Sequence, residues 1–120
     1  MNLMEIIEVN EFEKDLNKIR VNLEEDLKKF KKILIAEYPK MLTPALGLVI
    51  INHLGKGILP VYKARKFRCK ALNKGSKSGI RIIYTYDKYK DEIILIEIYS
   101  KNKKDNQDLY RIRKYAIKER

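Results

Sequence analysis

Gly79-Ile80-Arg81-Ile82-Ile83-Tyr84 opens a run of β-branched and aromatic residues that continues to Tyr86. Such residues favour a strand, and the preceding Gly75-Ser76-Lys77-Ser78 marks a turn into it. A second run of the same kind, Glu92 to Tyr99, follows after the polar connection Asp87 to Asp91. The two predict an antiparallel hairpin. Its unusual member is Arg81, a guanidinium flanked by Ile80, Ile82 and Ile83. It needs either a carboxylate, with Glu97 on the neighbouring strand as the candidate, or an anionic ligand from outside. Upstream, Val61 to Leu72 alternates bases with smaller or apolar residues and reads as a further strand. Alternate strand residues face opposite ways, so Lys63 and Arg65 share one face and Arg68 and Lys70 the other, unless a bulge intervenes.

Outward from this core, Met4 to Val9 reads as a short opening strand. Asn10 with Glu13, and again Asn22 with Glu25, resemble capping boxes that each start a helix. Phe12, Leu16, Ile19 and Leu23, then Leu27, Phe30, Leu34 and Ile35, recur at helical spacing until Pro39 stops the pattern. Two helices broken near Arg20 to Asn22 fit the second cap better than one long helix. Between Pro39 and Pro60, a short buried helix around 44–54 and an irregular loop with a brief strand at Leu48 to Ile51 are both open. Leu109, Ile112, Tyr115 and Ala116 predict a C-terminal helix. The expected fold is α+β: a small antiparallel sheet, an N-terminal helical hairpin packed on one face, and a C-terminal helix. At 120 residues the chain is long enough for a single domain, 1–120.

Lys and Arg total 27 against 16 Asp and Glu, a net charge of +11. The excess is local. No carboxylate occurs between Glu37 and Asp87, while Lys56, Lys63, Arg65, Lys66, Arg68, Lys70, Lys74, Lys77 and Arg81 accumulate there. A run of one sign points to a polyanionic or acidic partner. One Cys and one His exclude a disulfide framework and a metal cluster. His53, in an apolar stretch, is expected to be structural, and Cys69 to point into the core. Gly75 and Gly79 lack the context of a phosphate loop. The apolar stretch Leu46 to Ile51 is far shorter than the ~20 residues of a membrane span. The first residues lack a basic n-region, so a cytoplasmic protein is expected.

The blocks Phe12-Glu13-Lys14-Asp15-Leu16, Val61-Tyr62-Lys63-Ala64-Arg65, Gly79-Ile80-Arg81-Ile82-Ile83-Tyr84 and Ile96-Glu97-Ile98-Tyr99-Ser100-Lys101 together resemble the RelE/ParE superfamily of type II toxin–antitoxin systems, on the RelE side. The resemblance implies a ribosome-dependent mRNA endoribonuclease that directs the RNA 2′-OH onto the adjacent phosphate without metal or other cofactor. It implies as partners a cognate acidic antitoxin, the ribosome and mRNA, with no membrane. Arg81 matches the strand arginine that stabilises the phosphorane, Lys63 and Arg65 the preceding pair of bases, and Lys101 the later basic position. Arg68 and Lys70 are rivals for that pair, and Tyr99 and Tyr110 for the late tyrosine. Arg68, Lys70, Lys74, Lys77 and Tyr84 are the candidate RNA-binding residues, with Tyr84 able to stack on a base. The alternatives are a ParE-like toxin acting on a DNA topoisomerase and a non-catalytic RNA-binding module.

Overall fold

The computed structural model describes residues 4–19, 21–37, 47–72, 78–104 and 106–118. In chain order they form β1 (Glu5–Glu8), α1 (Asn10–Lys18), α2 (Glu24–Glu37), β2 (Leu48–Ile50) and β3 (Val61–Ala64). A 3-10 turn at Lys70–Leu72, β4 (Ile80–Asp87), β5 (Glu92–Ser100) and α3 (Leu109–Tyr115) follow. The strands make one sheet in the order β1-β5-β4-β3-β2. The ladders β2–β3, β3–β4 and β4–β5 are antiparallel, but β1 runs parallel to β5, so the sheet is mixed rather than purely antiparallel. A parallel partner needs a long crossover, and here residues 9–91 lie between β1 and β5.

The β4–β5 hairpin is the trunk. Asp87 Oδ1 accepts from the backbone N–H of Tyr89 and Lys90, and Asp91 takes a left-handed φ of 55°, which together turn the chain. Both strands are covered on both faces, so they read as continuous apolar runs instead of alternating. On the face of Ile80, Ile82 and Tyr84 lies α2. Its Phe30 meets Phe67 and Tyr84 edge-on at centroid distances of 5.7 and 6.2 Å. The opposite face carries Lys63, Arg81 and Ile83, and the N-terminus of α3 comes to it through a hydrogen bond from Asp108 N to Glu97 Oε1, 2.8 Å.

One irregularity re-aims two side chains. Ile83 pairs with Glu97 but Tyr84 pairs with Leu95, so Ile96 is an extra residue in β5. Without that bulge Glu97 and Tyr99 would lie on the α2 face beside Leu95. With it they join Lys63 and Arg81.

Helix and strand starts differ in detail from the sequence patterns. Asn10 lies inside α1, whose N-cap is Val9 without a side-chain cap, whereas Asn22 Oδ1 does accept from Glu24 N at 2.9 Å. Residues 48–50 are a strand, which settles the brief-strand reading for that stretch; residues 38–46 lie outside the described ones. The strand predicted over Val61 to Leu72 ends at Ala64. Beyond it Phe67 and Cys69 are buried from a loop, so their alternation with bases imitates a strand without being one. Cys69 lies in the core as expected, but His53 is exposed, at a positive φ of 62°. No helix among the described residues is long and apolar enough to cross a membrane.

The C-terminal end of α3 is tied to α1 by charge. Glu11 accepts from Tyr115 Oη and, at 3.1 Å, from Lys114 Nζ, and these bonds hold its carboxyl down at about 2. A folded-state value below the ordinary carboxylate means stabilisation that is complete above the unfolded value and lost as pH falls through the folded one. A carboxyl-carbon NMR titration of Glu11 should therefore have its midpoint near 2; a midpoint at the ordinary 4.5 would mean the clasp does not form in solution.

Candidate functional site: a basic sheet face

Two rows of side chains cross the sheet on the face opposite α2. In the first, Lys63 of β3 stands beside Ile83 of β4, and Ile83 beside Glu97 of β5. In the second, Arg81 of β4 stands beside Tyr99 of β5. Arg65, just past β3, extends this row: Arg81 Nη1 donates to its carbonyl oxygen at 2.9 Å. Cross-strand neighbours of this kind have Cβ atoms about 5 Å apart, so the rows are one contiguous patch. Lys101 follows directly on β5, and its backbone N–H, bonded to Gly79 O at 2.9 Å, continues the β4–β5 pairing to the edge of the patch.

Lys63, Arg65 and Arg81 are each held by a neutral acceptor. Arg65 Nε donates to Gly47 O at 3.1 Å, and Lys63 Nζ to Gln107 Oε1 at 3.2 Å. Gly47 has a left-handed φ of 59°, and a Cβ there would come within 2.8 Å of the Lys66 Cγ, so the turn that presents this carbonyl requires glycine. The nearby carboxylate, Glu97, is engaged by Lys104 and Asp108 N rather than by Arg81, so the cross-strand salt bridge open to Arg81 from the sequence is not the one formed. The guanidinium keeps donors free for an external anion.

The electrostatics agree with an anion site. Burial, then the charges of Arg81, Arg65 and Lys101, push the Lys63 ammonium below its ordinary pKa, against an opposing pull from Glu97. Burial and Glu97 push the Tyr99 hydroxyl up to about 12, with Arg81 pulling the other way. Tyr99 therefore keeps its proton at neutral pH and can donate, not abstract. Its Oη is buried and is the side-chain polar atom without a hydrogen-bond partner among the described buried ones. The Lys104 ammonium lies 5.4 Å from its ring centroid.

Lys63, Arg65, Arg81, Tyr99 and Lys101 are thus brought together as the sequence predicts. The expected RNA-binding residues are not gathered with them in the same way. Arg68 is exposed on the loop after β3, and Lys70 is exposed in the 3-10 turn, where its N–H donates to Asp26 Oδ1. Lys74 and Lys77 lie outside the described residues. Tyr84 is fully buried on the α2 face, its ring stacked on Tyr62 at 5.4 Å, so it has no surface to offer a base. Tyr110 is 81% exposed on α3, away from the constraint that burial places on Tyr99. Glu97, Lys104 and Gln107 were missed as site residues. The signal for Glu97 was a lone carboxylate in an apolar strand; Lys104 and Gln107 arrive from a polar loop and leave no pattern.

No family model and no curated protein matches the chain. Among solved structures, it is similar to the crystal structure of an archaeal RelE–RelB complex from Pyrococcus horikoshii OT3, with a TM-score of 0.55 and 15% identity. The match covers 81% of this chain and 93% of that one. The fold is RelE-like over most of its length.

Proposed function

We propose that this protein is the toxin of a type II toxin–antitoxin pair and cleaves mRNA on the ribosome. The observation that carries the reading is the convergence of Lys63, Arg65, Arg81 and Lys101 with a protonated Tyr99 on one face of a RelE-like sheet. In the reaction the RNA 2′-OH attacks the adjacent phosphorus, the bond to the 5′-oxygen of the next nucleotide breaks, and the products are a 2′,3′-cyclic phosphate and a 5′-hydroxyl. Arg81 stabilises the charge that develops on the phosphoryl oxygens. Lys63, whose ammonium is already easier to deprotonate than an ordinary lysine's, is suited to move a proton. Arg65 and Lys101 hold the flanking phosphates, and the Tyr99 ring, its hydroxyl buried, packs beside Arg81 and steadies it.

The partner that restrains such an enzyme is an acidic antitoxin laid over the basic face. The similar structure is, by its own description, a complex of RelE with RelB, and this chain's net charge of +11 suits an acidic cover. The reading is tested by brief production of the protein in cells. Translation should arrest first while DNA replication continues. Replication arrest with intact translation would favour a topoisomerase target on the same fold. In vitro, neutralising four to six phosphates predicts a log–log slope of about −3 to −4 for RNA affinity against salt. A flat response would contradict the phosphate contacts.

A further inference from the structure

We propose that Glu97 is the positioning residue of the basic face, fixing Lys104, Gln107 and Asp108 beside Lys63 and Tyr99 so that a phosphodiester meets the cations in one geometry. This rests on the ribonuclease reading above. Glu97 is 2% exposed, inside a strand whose other residues from Ile93 to Tyr99 are apolar or aromatic. Burying a carboxylate is unfavourable unless both oxygens are paired. On a surface that only had to attract a polyanion it would also be counterproductive, since it subtracts from the field. Geometry accounts for its presence. One oxygen takes the Lys104 ammonium and the other takes Asp108 N at 2.8 Å. Asp108 in turn caps α3 by accepting from Arg111 N at 3.1 Å.

Between those two anchors sits Gln107, whose side-chain oxygen receives Lys63 Nζ. The other anchor sets the Lys104 ammonium against the Tyr99 ring. A single carboxylate, placed on this face by the bulge at Ile96, thus orients the lysine and covers the tyrosine. Its charge also opposes the lowering of the Lys63 pKa by burial and by Arg81, Arg65 and Lys101. The Gln107 oxygen stands where a phosphate oxygen would accept from Lys63, so substrate exchanges one acceptor for another without moving the donor.

Two variants separate positioning from simple scaffolding. Glu97→Gln keeps an acceptor for Asp108 N but drops the charge on Lys104; Glu97→Ala removes both. Binding of a short 2′-O-methyl RNA, which cannot be cleaved, should tighten about two- to fivefold in both, because a negative charge has left the face. Single-turnover cleavage of ribosome-bound mRNA at saturation should fall about tenfold or more in Glu97→Ala and less in Glu97→Gln. A residue that only held the fold would move binding and rate down together. Weaker RNA binding, or an unchanged saturating rate in a folded Glu97→Ala protein, would overturn the assignment. If the wild-type protein proves unable to cleave RNA, the ribonuclease reading fails by itself. NMR of the Asp108 amide and the Lys63 ammonium then decides: shifts at both in Glu97→Gln support positioning, and unchanged signals refute it.

Discussion

Arg81→Ala is expected to slow cleavage by two to three decades, about 3–4 kcal/mol of lost transition-state stabilisation, while the protein stays folded. The guanidinium lies half-buried in the middle of the patch, oriented by its bond to the Arg65 carbonyl, and no carboxylate among the described residues consumes it. Truncating it exposes that carbonyl to water, which can replace the donor, so the core is not at stake. Arg81→Lys should recover only part of the rate, because an ammonium cannot present two parallel donors to one phosphate. Lys63→Ala and Arg65→Ala should each cost less, since neighbouring cations share the phosphates. Tyr99→Phe removes a hydroxyl that has no internal partner, so its stability cost should be small. A rate close to wild type is then expected, because the buried hydroxyl does not reach the reacting group. A folded Arg81→Ala protein cleaving at the wild-type rate would remove this residue from the mechanism.

Arg111→Met is expected to cost about 3–5 kcal/mol of folding stability, the largest single loss outside the apolar core. The β1–β5 ladder stops at Leu95, yet β5 runs on to Ser100. Past that point two side chains take the place of a strand. Asp15 Oδ2 accepts from Ile98 N at 3.1 Å, and Arg111 Nη1 donates to Ile96 O at 3.0 Å and to Asp15 Oδ2 at 2.6 Å. Removing Arg111 strands a carboxylate that is 9% exposed and leaves a carbonyl at the sheet edge without its donor. Lys114→Met, which breaks the exposed pair with Glu11, should cost far less by comparison. Urea unfolding with a common m-value measures both. Equal losses in the two variants would contradict the role given to the buried pair.

The hairpin of β4 and β5, the two N-terminal helices and α3 were legible because each pattern is local: strand formers bounded by turn residues, or apolar residues at helical spacing. What escaped depended on partners distant in sequence. The opening strand was visible, but nothing in Glu5–Glu8 says that its neighbour is β5 or that it runs parallel. Arg65 to Lys70 alternated convincingly because the loop happens to bury Phe67 and Cys69. Tyr84 was expected to stack on a base, and its burial was hidden because a strand covered on both sides has no polar side to orient it. In the candidate site, Arg81, Lys63, Arg65 and Lys101 could be named from their strands. Tyr99 reaches them only because Ile96 is an extra residue in β5, and a bulge without glycine leaves no mark in the sequence.

The central claim is that the basic face joins a 2′-hydroxyl to its neighbouring phosphate. It is tested most directly by mapping mRNA ends and their chemistry after brief production of the wild-type protein beside Arg81→Ala. The account predicts new breaks within translated reading frames, each with a 5′-hydroxyl on one fragment and a 2′,3′-cyclic phosphate on the other, and nearly none with the variant. Unchanged message termini, or breaks bearing 5′-phosphates and persisting in Arg81→Ala, would contradict it.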